Sequence, residues 1–101
     1  MQYLGVLRGT GKLKCGDEIL ASADYDFEGF RTRQGGVTGG GELRMRPDAL
    51  RLVFGRADLH LLTDDGRLLR LRFSEKQLPD SSDSTHVDVT GDLPAQSDWR
   101  H

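Results

Sequence analysis

The chain has 101 residues and a net charge of −2, with 36% hydrophobic and 30% charged residues. That length fits one domain with a single core and leaves little room for a deep, enclosed active site. No apolar run reaches the ~18 residues of a membrane-spanning helix, and a single cysteine, Cys15, excludes an intramolecular disulfide.

The opening, Met1 to Gly5, lacks the basic end and apolar stretch of a signal peptide. Together with the lone thiol this leads to the expectation of a cytoplasmic protein, with Cys15 as a small buried hydrophobe. The stretches "QYLGVLR" and "GKLKC" read as strands broken near Gly9-Thr10-Gly11. Gly16-Asp17 then turns the chain into "EILASADYDFEGF". In it Ile19, Ala21, Ala23, Tyr25 and Phe27 alternate with Glu18, Ser22, Asp24, Asp26 and Glu28, which gives a strand one apolar and one acidic face.

"RQGGVTGGGELR" follows, with Gly35, Gly36, Gly39, Gly40 and Gly41. A phosphate-binding P-loop needs Lys and a hydroxyl after its last glycine, but Gly41 and Glu42 follow Gly40. A dinucleotide fingerprint must open a helix, and "GELRMR" alternates as a strand instead. The run is expected to be a long, mobile hairpin loop. A secondary use is to hold an anion on its backbone amides with Arg31 and Arg33. The hairpin register that satisfies both faces sets Phe27 against Met45, Gly29 against Leu43, Glu28 against Arg44 and Asp26 against Arg46.

Pro47-Asp48 is expected to turn the chain into a strand, "ALRLVF", with Leu50, Leu52 and Phe54 facing the core. "ADLHLLTDDGRLLRLRF" reads as a second hairpin. A two-residue Asp65-Gly66 turn would set Leu61 against Arg70. A three-residue loop, Asp64-Asp65-Gly66 with Gly66 left-handed, pairs Leu61 with Leu69, Leu59 with Leu71 and Asp58 with Arg72, and is the expected form. From Glu75 the sequence is rich in Ser, Asp and Pro. "SEKQL" is read as one helical turn at most, and "HVDVT" (His86 to Thr90) as a short edge strand. The body, Met1 to Ser74, carries a charge of +2 and the segment Glu75 to His101 carries −4. The expected architecture is all-β: a small antiparallel barrel or sandwich of about six or seven strands over residues 1–74. Residues 75–101 are expected to form a flexible acidic C-terminal tail in which Trp99 is exposed.

The candidate chemistry is sparse. Asp24, Asp26 and Glu28 project from one face, as paired carboxylates do in a hydrolase or hard-cation site, but a salt-bridged solvated face is the simpler account. Arg44, Arg46, Arg70 and Arg72 lie at outward positions and could contact phosphates, yet Phe30 is the one outward aromatic for base stacking. His60, His86 and His101 have no metal-ligand spacing. No catalytic residue, metal or cofactor is assigned. The leading expectation is a non-catalytic binding or interaction module, its ligand set drawn from Arg31, Arg33, Gly35, Gly36, Gly39, Gly40, Gly41, Arg44, Arg46, Arg70 and Arg72. An anion- or nucleic-acid-binding barrel using the arginines comes second, and a small hydrolase or metal site on the acidic row third. The expected partner is another protein or a second copy joined through a strand edge; nucleic acid is disfavoured and no membrane is expected.

Overall fold

Period-two alternation builds this molecule. A computed structural model describes residues 2–79 and 81–90. The elements are β1 (Gln2–Cys15), β2 (Glu18–Arg31), β3 (Val37–Arg44), α1 (Pro47–Val53), β4 (Leu59–Leu62), β5 (Leu68–Phe73) and β6 (Ser84–Thr90). The strands close an antiparallel barrel in the order β1-β2-β3-β6-β5-β4, so barrel rather than sandwich is the architecture. Alternate residues fill the interior: Leu13, Tyr25, Phe27, Leu43, Leu61, Leu71 and Val87 are all buried.

β1 runs unbroken where two strands were expected. Its inward glycines let it curl instead of ending it. A side chain at Gly9 would meet the Tyr25 hydroxyl, and one at Gly11 the Leu62 carbonyl. Near its start the β1–β2 ladder slips, with Tyr3 opposite Phe30 and Gly5 opposite Gly29, so Leu4 is the extra residue of a bulge. Gly5, at φ 131°, accommodates it. The bulge turns Tyr3 to the same outer face as Phe30, and the two rings meet edge to face at 5.5 Å.

The β2–β3 register differs from expectation by four positions: Arg44 faces Asp24 rather than Glu28, and Phe27 faces Gly41 rather than Met45. Asp26 lies opposite Glu42, not Arg46. An even slip leaves every side chain on its expected face, so alternation cannot detect it. Close packing decides it. A Cβ at Gly41 would collide with the Asp26 carbonyl, so β2 and β3 approach closely only with glycine there. Gly39, Gly40 and Gly41 are therefore strand, not loop. The turn is confined to Thr32–Gly36, closed by Thr32 N–H to the Gly36 carbonyl at 2.8 Å, with Gly35 at φ 86°.

"ALRLVF" is mostly helix rather than strand. Pro47 sits in the first turn, where its fixed φ is already helical, and Asp48 and Arg51 suit the helix dipole. Leu50 and Val53, three apart, face the core, while Leu52 is 72% exposed. The second hairpin pairs Leu61 with Leu69 as expected, and Gly66 has φ 88°. Its ladder ends at His60–Arg70, short of the expected Leu59–Leu71 and Asp58–Arg72 pairs. Asp58 turns to Cys15 on β1, and Arg72 lies 3.9 Å from Asp88 on β6.

β6 is not an edge strand. It pairs with β3 on one side and β5 on the other, so the barrel body runs through Thr90 and does not end near Ser74. Thr85, Val87 and Val89 point inward and are buried. Three inward side chains suffice because both neighbouring strands satisfy the backbone of β6. "SEKQL" forms no helical turn. The expectations for residues 91–101, including an exposed Trp99, lie outside the described residues.

Candidate binding face

The outer surface of β1, β2, β3 and β6 carries a cluster of charged side chains. The ladders align Arg8 with Asp26, Asp26 with Glu42, and Glu42 with His86, one row across four adjacent strands. The row beside it is Thr10, Asp24, Arg44 and Ser84; the row on the other side is Val6, Glu28, Gly40 and Asp88. Two depressions meet along these rows. One of about 360 Å³ is lined by Arg8, Thr10, Asp24, Tyr25, Asp26, Glu42 and Arg44. The other, of about 400 Å³, shares Arg8, Asp26 and Glu42 and adds Glu28, Phe30, Gly40, Gly41 and His86. Gly40 forms its floor; a side chain there would run into the Val87 carbonyl.

The trough is electrostatically mixed and solvated. Arg8 Nε meets Asp26 Oδ1 at 3.2 Å, Arg44 Nη2 meets Glu42 Oε1 at 2.7 Å, and Thr10 donates to Asp24 at 2.7 Å. The ion-pair partners are about half exposed or more, so each pair contributes only about 0–1 kcal/mol and is easily exchanged for a ligand's charge. Five carboxylates (Asp24, Asp26, Glu28, Glu42, Asp88) stand against Arg8, Arg44 and, 3.9 Å from Asp88, Arg72, leaving the face at −2 with neutral histidine. At its far side His86 Nδ1 and Ser74 Oγ are 2.6 Å apart. Glu75 accepts from the His86 backbone N–H at 2.8 Å and from the Thr85 hydroxyl at 3.1 Å, and these bonds hold its carboxyl below the usual range.

Tyr25 walls the first depression from within the barrel. Its hydroxyl donates to Asp64 Oδ1 at 2.8 Å, and burial together with that carboxylate pushes the phenol up to about 12. On another side of the barrel Cys15 Sγ donates to Asp58 at 2.8 Å, with Arg56 at 3.7 Å. The Asp58 bond raises the thiol above its ordinary value, which keeps it protonated and a poor nucleophile. Among the described residues no three His, Cys, Asp or Glu side chains are grouped to hold a metal ion.

The acidic row foreseen at Asp24, Asp26 and Glu28 thus lies in the trough, and Arg44 and Gly40 join it. The other ligand candidates are scattered. Arg31 and Arg33 flank a separate shallow depression with Gln2 and Thr32. Gly35 and Gly36 form the turn and Gly39 faces the barrel interior, while Gly41, also on an inward position, lines the second depression of the trough. Arg46 lies past the end of β3, 85% exposed and 3.3 Å from Asp48. Arg44 and Arg70 sit at opposite ends of β6, beside Ser84 and Thr90, and Arg72 lies toward the Arg70 end. Sequence reasoning did not join Arg8, Glu42 and His86 to the acidic row: alternation in "GELR" and "HVDVT" marks Glu42 and His86 as outward, but the bulge at Leu4 breaks the alternation in "QYLGVLR" that would have marked Arg8. No protein-family model, curated protein sequence or solved structure matches this chain significantly.

Proposed function

We propose that the chain is a non-catalytic binding module and that the trough across β1, β2, β3 and β6 is its ligand face. One observation carries this reading: Arg8, Asp26, Glu42 and His86 stand side by side on four adjacent strands, flanked by Asp24, Glu28 and Asp88 and ending on Phe30. An excess of carboxylates beside an aromatic suits an extended cationic ligand with an apolar anchor, such as a basic peptide segment containing leucine. Exposed, ion-paired carboxylates favour recognition over acid–base work, which needs a shielded group with a displaced pKa. A cytoplasmic setting agrees with a lone thiol held protonated beside Asp58. The arginine-based alternative has weaker support, because Arg44, Arg46, Arg70 and Arg72 diverge over two ends of the sheet and Arg44, Arg46 and Arg72 each lie near a carboxylate.

The test is fluorescence anisotropy with three labelled peptides of equal length: basic with leucines, neutral, and acidic. The basic peptide is expected to bind, to weaken as salt rises, and to lose at least about tenfold in affinity to Asp26→Asn with Glu42→Gln. Equal affinity for all three peptides, or retention of the protein on heparin with no binding of the basic peptide, overturns the reading.

A further inference from the structure

We infer that the trough's occupant is a second copy of this chain, presented by the outer face of its β1, β4 and β5. This rests on the trough being a ligand face and names what fills it.

That face begins on β1, next to the trough, and continues over β4 and β5. The ladders align Lys12 with Leu62 and Leu62 with Leu68, and in the next row Lys14 with His60 and His60 with Arg70. These six side chains alternate with the buried Leu61 and Leu69, so they point outward. Two leucines stand in register there, and Leu68 is 50% exposed. Lys12, Lys14 and Arg70 give the patch a charge of +3 with no carboxylate at any of the six positions. The acids around it are already engaged: Asp58, beside His60, accepts from Cys15, and in the β4–β5 turn Asp64 accepts from Tyr25 and Asp65 from Thr63 and Arg67. Lys12 makes its contact with a neutral group, the Ser22 hydroxyl at 2.6 Å. His60 Nδ1 lies 3.3 Å from the Asp58 carbonyl.

The two faces complement each other in three respects. The trough carries −2, and the patch's two lysines and arginine carry +3, with Asp58 at its border. The trough is a depression, and the patch stands on the convex outside of a short hairpin. The trough has an apolar end, where Phe30 packs on Tyr3, to receive the leucine pair. β1 contributes to both, with Arg8 and Thr10 on the trough and Lys12 and Lys14 on the patch, so the two sites lie on one rigid strand and a molecule cannot satisfy itself. Association through them is head to tail, and such contacts propagate into rings or chains.

Sedimentation of the full chain tests this. Mass is expected to rise with protein concentration near 0.01 M salt, where charges act over about 30 Å, and to fall to the monomer near 1 M. Two variants break one face each: Lys12→Gln with Leu68→Ser and Arg70→Gln for the patch, and Asp26→Asn with Glu42→Gln for the trough. Each alone is expected to be monomeric and folded by circular dichroism, since all the substitutions lie at outward positions. Mixed in equal amounts, they keep one intact trough and one intact patch and are expected to stop at a dimer. A wild-type chain that stays monomeric at low salt, or single variants that associate as the wild type does, overturns the inference. The patch variant also separates the two ideas: if it binds the basic peptide while the wild type is monomeric, the trough stands and the second copy is discarded.

Discussion

The Tyr25 hydroxyl reaches across the inward face of Gly9 to donate to Asp64, which fastens the β4–β5 turn to β2 without a backbone ladder between them. Only a glycine on β1 leaves room for this contact, since a Cβ at Gly9 would lie 2.8 Å from both the phenol oxygen and the Asp64 carboxylate. Tyr25→Phe is expected to cost about 1 kcal/mol by chemical denaturation. The pH dependence has a definite sign. A phenol raised from about 10 in the unfolded chain to about 12 in the fold favours the folded state fully below pH 10. That contribution disappears as pH rises through 12. Melting curves of the wild type and Tyr25→Phe between pH 9 and 12 should therefore converge; a constant gap would show that the hydroxyl is not what holds the turn.

Gly41 and Gly35 separate strand from loop. A side chain at Gly41 meets the backbone of Asp26 and Phe27, whereas nothing lies within 4 Å of one at Gly35. Gly41→Ala is expected to lose at least about 2 kcal/mol, the cost of forcing packed elements apart. Gly35→Ala loses about 1 kcal/mol, for its left-handed backbone alone. Equal small losses at both sites would return the whole run to a loop.

Those glycines also mark where the sequence was legible and where it was not. Sidedness could be read along the middle of β2 and in the second hairpin: Tyr25, Phe27, Leu61 and Leu69 are buried where alternation put them, and the Leu61–Leu69 register followed from a turn with a definite glycine requirement, whereas Ile19, beyond a second register shift, is exposed. The β2–β3 register had no such anchor, and charge matching between exposed groups is too weak to set it. β6 was read as a short edge strand and its place inside the barrel was hidden, because only Thr85, Val87 and Val89 of its side chains enter the core, while composition registers the polar half. The helix escaped because Leu50, Leu52 and Phe54 imitate alternation, and the Leu50–Val53 spacing that decides the matter is one pair long. The trough assembles residues from four strands, so no contiguous motif could announce it; its acidic row was visible, its partners on β1, β3 and β6 were not brought together by sequence.

Cys15 is expected to react slowly with an aromatic disulfide reagent. Its thiol donates to Asp58, and that bond stabilises the protonated form. Asp58→Asn removes the carboxylate while Arg56 remains near the sulfur, so the thiol's pKa falls and the reaction near neutral pH quickens. An unchanged rate would mean that access to the sulfur, not its protonation, limits the chemistry.

Glu75 offers a test of how β6 is held. Its carboxylate accepts from the His86 N–H and the Thr85 hydroxyl, and both bonds favour the charged form, lowering its pKa from the ordinary 4.5. A depressed carboxyl contributes stability that is fully present above the unfolded value and is lost as pH falls through the folded one. The wild type should therefore lose part of its melting temperature below pH 4.5. Glu75→Gln keeps an acceptor oxygen for the same two donors but cannot titrate, so it should start lower at pH 7 and decline less on acidification. Hydrogen exchange at the His86 amide gives the local reading: faster in Glu75→Ala than in the wild type at pH 7, and nearly equal at a pH low enough to protonate Glu75. If exchange at His86 ignores both the substitution and the acid, the cross-strand carboxylate is not what pins the start of β6, and the ladders to β3 and β5 hold the strand by themselves.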